Sequence, residues 1–145
     1  PKMNAIGKSI VVVLFLQIAI SICKDDNSYK TCSKQLRYTI RNQIQAPTFE
    51  YSLQIPFCHQ PFIRIMERAV NMSANYKFTA TYFPTWAYFI DTINGVQGFY
   101  NVNQTWWQFL KAPNSMLPVG VSSYYPENGD HIIFNFTQSA GHKEI

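Results

Sequence analysis

Charge is scarce in this chain. Its 145 residues carry 12 Lys and Arg against 8 Asp and Glu, and charged residues make up 14% of the total. So little charge beside so many rings excludes a disordered tail and a coiled coil. No Lys/Arg stripe is present to follow a phosphate backbone, so nucleic acid is not an expected partner. Glycine, at six residues, is too rare for a collagen repeat. Three cysteines and three histidines are too few, and too badly spaced, to build a zinc site. No apolar run reaches the roughly 20 residues of a membrane span.

What the chain does have is aromatic residues, at 16%, and eight prolines. The prolines argue against a helical bundle, and the aromatic and β-branched content favours strands. The length suits one domain with a real core.

The N-terminus reads as a signal peptide over residues 1–23. Lys2 and Lys8 flank an apolar run from Ile10 to Ile22, broken only by Gln17 and Ser21, and Ala19-Ile20-Ser21 offers a small-residue exit. Cleavage there removes two lysines and no acid, which leaves the remainder close to neutral and without stable membrane insertion. The expected location is therefore extracellular. Asn71-Met72-Ser73, Asn103-Gln104-Thr105 and Asn135-Phe136-Thr137 are N-glycosylation sequons, and they agree with secretion. So does the cysteine count. Cys23 falls at the end of the signal run, and Cys32 and Cys58 remain as a pair for an oxidising compartment. A bridge between them would stabilise the fold by about 3 kcal/mol in the chain-entropy view.

Residues 24–35 form a polar leader, and 139–145 a polar tail. Between them, Leu36, Tyr38 and Ile40 alternate with polar residues and predict a strand. Phe49 to Ile55 repeats the pattern. Phe62, Ile65, Met66, Ala69 and Val70 fall at helical spacing behind Pro61, and predict the single main helix. Strands are also expected at Tyr76–Phe83, Tyr88–Ile93, Trp106–Leu110, Val119–Tyr125 and Ile132–Phe136. Asn94-Gly95 reads as a turn and Val96–Asn103 as a polar connection. The order of elements makes one α+β domain.

Nothing in the chain recommends an enzyme. Asp91 and Asp130, the two carboxylates weighed as a pair across a cleft, read as turn residues. His131 lacks the frame that a serine nucleophile needs. Gly95 to Gly98 lacks the lysine and following helix of a phosphate loop. Apolar and aromatic density in segments 82–89, 99–109 and 117–125 points instead to binding. A strand and its following loop can present apolar groups to a flat ligand.

Four segments carry a resemblance. Phe89-Ile90-Asp91-Thr92-Ile93-Asn94-Gly95-Val96, Thr105-Trp106-Trp107-Gln108-Phe109-Leu110, Leu117-Pro118-Val119-Gly120-Val121-Ser122-Ser123-Tyr124 and Asn128-Gly129-Asp130-His131-Ile132 resemble, in order and spacing, the C-terminal β-domain of the vitamin B12 carriers, the transcobalamin and intrinsic factor family. The likeness covers residues 36–138, and the same domain also occurs standing alone. It implies a small β-grasp-like domain of mostly antiparallel strands with one main α-helix. It also implies non-covalent binding of cobalamin or a related corrinoid. Phe109 and Leu117 would be apolar contacts, with Trp107, Gln108 and the backbone of Val119, Gly120 and Val121 lining the same surface. Trp106 stands where the family usually has Tyr, and Ala87 where many relatives have Gly. The carriers' helical barrel has no counterpart in these residues, so one wall alone would bind weakly. A helical-barrel partner or self-association would supply the other wall. The alternative is a secreted protein-interaction module that shares the scaffold and binds no corrinoid.

Overall fold

The computed structural model describes residues 33–139. The expected signal peptide, most of the leader, Cys32 and the end of the tail lie outside the described residues. Strand β1 spans Lys34–Asn42 and β2 Phe49–Phe57. Helix α1 runs Phe62–Met72, followed by a 3-10 turn at Ala74–Tyr76. Then come β3 (Phe78–Phe83), β4 (Ala87–Ile93), β5 (Val96–Gln97), a short helix α2 (Tyr100–Asn103), β6 (Thr105–Lys111), β7 (Ser115–Met116) and β8 (His131–Gln138).

Two sheets form. The larger has the order β2-β1-β8-β6-β7, and the smaller β3-β4-β5. All pairs are antiparallel except β1 with β8, which run parallel from Arg37 opposite His131 to Arg41 opposite Asn135. The result is α+β, mostly strand, as the alternation predicts.

Period-two alternation decides which face of the large sheet is covered. Leu36, Tyr38 and Ile40 of β1, Ile55 and Phe57 of β2, Trp107 of β6, and Ile132, Phe134 and Phe136 of β8 are all buried in one cluster. Helix α1 adds Phe62, Ile65, Met66 and Ala69 to that cluster, and the small sheet adds Ile90, Ile93 and Val96. Tyr38 lies at the centre, with ring centroids 5.1 Å from both Phe62 and Tyr76. Burial pushes its phenol well above the ordinary tyrosine value, with a smaller push from Tyr76. The opposite face of the sheet carries Arg37, Thr39 and Arg41 of β1, Ser52 and Gln54 of β2, and His131 and Asn135 of β8.

Two expectations are corrected. Val119–Tyr125 is not a strand but a run of turns. Its carbonyls have another task, for Val121 and Tyr124 accept from the backbone N–H groups of Ile63 and Phe62 at 3.0 and 2.8 Å. Those are amides of the first turn of α1, which have no partner within the helix. The connection Val96–Asn103 is not plain loop either. It holds β5 and α2 and turns tightly at Gly98, where a Cβ would meet Thr105 O and Trp106 Cα, each at 2.9 Å.

Candidate functional site

Beyond the core, the β3–β4 hairpin continues as an aromatic tip. Tyr82, Phe83, Trp86, Tyr88 and Phe89 are all exposed, Trp86 to 76%. Tyr82 pairs with Tyr88 across the hairpin, rings 5.4 Å apart, and Phe83 lies 6.3 Å from Trp86. Both faces of the tip are therefore aromatic. Ala87, at φ +61°, takes the left-handed conformation that turns the chain into β4.

The loop after β7 lies against this tip. Ser122 Oγ accepts from Tyr88 N at 3.4 Å, and an added Cβ at Gly120 would stand 3.9 Å from Trp86 O. The loop is held from several sides. Leu117 N donates to Phe109 O, and the first turn of α1 donates to Val121 and Tyr124. Tyr124 then donates its hydroxyl to Asp130 Oδ2 at 2.6 Å.

Asp130 is the anchor. It is 6% exposed, and it accepts from Lys111 Nζ at 2.6 Å, Tyr124 Oη at 2.6 Å and Glu127 N at 3.0 Å. Burial pushes the Asp130 carboxyl up, but the three donors together outweigh it and hold the group below its usual value. The same contact raises Lys111. Burial and the bond to Asp130 raise Tyr124.

The residues expected to line a ligand divide into four groups. Leu117, Val119 and Gly120 sit in the loop beside the aromatic tip, with Val119 and Gly120 exposed. Phe109 is half-buried, its ring 5.3 Å from Phe62, 5.0 Å from Phe134 and 5.7 Å from Tyr124. It borders the loop and also supports it. Trp107 and Val121 are core residues, at 4% and 3% exposure. Trp107 Nε1 donates to Val96 O at 2.8 Å, and its ring packs on Phe49 and Phe136. Gln108 follows Trp107 in β6 and so points to the opposite face of the sheet, away from the loop. The tip residues Tyr82, Phe83, Trp86 and Tyr88 join the surface. Their aromatic density is visible in the sequence, but the place of Trp86 and Tyr88 beside Gly120 and Ser122 is not.

The three residues weighed for acid–base chemistry have separate partners. Asp91 lies inside β4, not at its turn, and accepts from Thr81 Oγ1 at 2.8 Å. Asp130 is taken up by its three donors, and His131 Nε2 bonds Thr39 Oγ1 at 2.8 Å. Among the described residues no group of three or more His, Cys, Asp or Glu is placed to hold a metal ion. Nor is any described helix long and apolar enough to cross a membrane.

Fold and surface together define a small α+β domain with an aromatic hairpin lying against a loop, and its likeness to known proteins places it in the transcobalamin C-terminal-like class. The chain belongs to the family described as domain of unknown function DUF4430, which matches residues 64–138. It is 31% identical over 105 residues to cobalamin binding intrinsic factor of Mus musculus and 32% identical to that of Homo sapiens. These alignments take in 70% of this chain and 24% of each relative, so the chain spans about a quarter of their length. In three dimensions it is similar to haptocorrin crystallised in complex with Cbi, with a TM-score of 0.60 at 23% identity over 72% of this chain and 25% of haptocorrin. It is also similar to a Ruminococcus gnavus ATCC 29149 protein, named as a suspected metal-binding protein. That match has a TM-score of 0.59 at 13% identity and covers 73% of this chain and 98% of the bacterial one. Both structures share the fold.

Proposed function

We propose that this chain is a secreted, non-enzymatic module that binds cobalamin or a related corrinoid. The binding surface is the aromatic β3–β4 tip with the loop Leu117–Gly120. The observation that carries the reading is the joining of these two segments. Trp86 and Tyr88 of the tip meet the loop at Gly120 and Ser122, the exposed Tyr82, Phe83 and Val119 lie on the same two segments, and Gly120 leaves the backbone open to a broad amphipathic ring. Similarity to cobalamin-binding intrinsic factor supports the ligand class. Phe109 supports the loop from below, through its ring against Tyr124 and its carbonyl bonded to Leu117 N, while Trp107 and Val121 tie the surface to the core. Gln108 is left to the opposite face of the sheet.

A single wall leaves the other face of a corrin uncovered, so a helical-barrel partner or a second copy is part of the proposal. Secretion through residues 1–23 also belongs to it. So do glycans on the exposed Asn71 and Asn103, and on the half-buried Asn135, whose Oδ1 already accepts from Arg41 Nε at 2.8 Å. The disulfide between Cys32 and Cys58 is supported by the β1–β2 register. Lys34 faces Phe57 in the last pair of that ladder, which puts Cys58 one residue beyond it. A helix lying across a mixed sheet supports the β-grasp-like label.

Equilibrium dialysis against cobalamin tests the surface. Trp86→Ala and Val119→Asp change exposed side chains and should leave the fold intact while weakening binding about tenfold or more. Dissociation constants equal to that of the unaltered chain in both variants would move the ligand elsewhere. The reading as a protein-interaction module would then take its place.

A further inference from the structure

We propose a second binding site, for a phosphate group, on the open face of the large sheet. It is built by Arg37 of β1, Gln54 of β2, Asn128 of the turn before β8, and His131 of β8. These residues line a cavity of about 350 Å³, within the range of small-molecule sites. The β1–β2 and β1–β8 registers bring them together, for Arg37 is paired with Gln54 on one side and His131 on the other.

The side-chain acceptors of Asn128 and Gln54 are already used, and what their side chains and Arg37 leave over is a set of donors. Asn128 Oδ1 accepts from Gln35 N at 2.8 Å, which leaves its NH2 group over. The surroundings of the Gln54 amide favour the orientation in which its nitrogen donates to Leu36 O at 3.1 Å and its oxygen accepts from Arg37 Nε at 3.2 Å. That leaves the two terminal nitrogens of Arg37 for a ligand, the arrangement that grips an oxyanion with two parallel bonds. No acidic residue lines the cavity, and among the described residues Arg37 makes no salt bridge.

His131 completes the donor set. Thr39 Oγ1 bonds both Ser52 Oγ and His131 Nε2. When Ser52 donates to Thr39 and Thr39 donates to Nε2, the ring proton sits on Nδ1 and is free to donate to a ligand. Burial holds His131 below the ordinary imidazole value, Arg37 and Arg41 of β1 lower it further, and Glu50 of β2 opposes them. The ring is therefore neutral at pH 7. Donors that come from two strands and a turn suit the several oxygens of a phosphate better than a planar carboxylate. The cavity lies on the face of the large sheet opposite the core, so the site is independent of the aromatic tip.

The test is an NMR titration of the whole chain with inorganic phosphate at constant ionic strength, following the ring carbons of His131. His59 and His142 serve as internal controls, and acetate is titrated in parallel. The expected result is a saturable shift with a dissociation constant of about 1 mM. An upward move of the His131 pKa by about one unit should accompany it, as a neighbouring anion requires. Both should vanish in Arg37→Gln and persist in Trp86→Ala. No saturable change, an equal response to acetate, or an unchanged response in Arg37→Gln would each overturn the proposal.

Discussion

Replacing Asp130 by Ala should cost the domain about 2–4 kcal/mol, because two partly buried donors and one exposed ammonium lose their charged acceptor. The structure shows where the loss arises. One carboxylate accepts from Lys111 Nζ, Tyr124 Oη and Glu127 N, and it is 6% exposed. Hydrogen bonds to a charged group contribute roughly 1.5–3 kcal/mol each. The Lys111 side chain is 41% exposed, so its share is screened and belongs at the bottom of that range or below it. Tyr124 Oη and Glu127 N lose an acceptor at partly buried positions, and they supply most of the effect. Lys111→Met should therefore cost much less, about 1 kcal/mol or below. The pH dependence has a definite sign. The folded-state pKa of Asp130 is depressed. Its contribution is then complete above the unfolded carboxylate value of about 3.9 and is lost as pH falls through the lower folded value. Urea unfolding at pH 7 and at pH 3, for the unaltered chain, Asp130→Ala and Lys111→Met, measures all three quantities. If Asp130→Ala kept the midpoint of the unaltered chain at pH 7, the anchoring argument would fail.

Three further outcomes follow from single residues. Ala87→Gly relieves a left-handed φ of +61° and should raise stability by up to about 1 kcal/mol, read as a higher urea midpoint. Gly98→Ala drives a methyl group against Thr105 O and Trp106 Cα, each at 2.9 Å, and should lower the thermal midpoint by several degrees. Tyr38→Phe removes a buried hydroxyl that has no hydrogen-bond partner among the described residues, so it should be neutral or stabilise by about 1 kcal/mol. A clear loss of stability in that variant would show that the hydroxyl is satisfied.

The strands that face the core were legible because their alternation is strict. In β1, β2 and β8 one side is apolar at every second position, and in α1 the apolar residues fall at helical spacing. The segment Val119–Tyr125 also has strand-forming residues, but its backbone bonds the start of α1. That partner lies more than fifty residues earlier in the chain, and local propensity carries no trace of it. Ala87 was legible as a departure from the family's glycine, and its positive φ gives the physical reason. Trp107 and Phe109 occupy the same face of β6, yet one is sealed by β5 and the other borders the loop. Only the packing of the small sheet separates them. The open-face cluster was not legible at all, because Arg37 and His131 meet through the parallel β1–β8 pairing. Asp130 read correctly as a turn residue through its bond from Glu127 N, while its bonds from Lys111 and Tyr124 are tertiary.

The most direct test of the central claim is a titration of the chain with cobalamin, followed by tryptophan fluorescence. Of its three tryptophans, Trp86 is 76% exposed at the proposed surface and Trp107 is buried in the core. The expected result is saturable quenching that disappears in Trp86→Ala, with an endpoint of one ligand per chain or one per two chains. Quenching that survives in Trp86→Ala, or no response at high micromolar cobalamin, would contradict it.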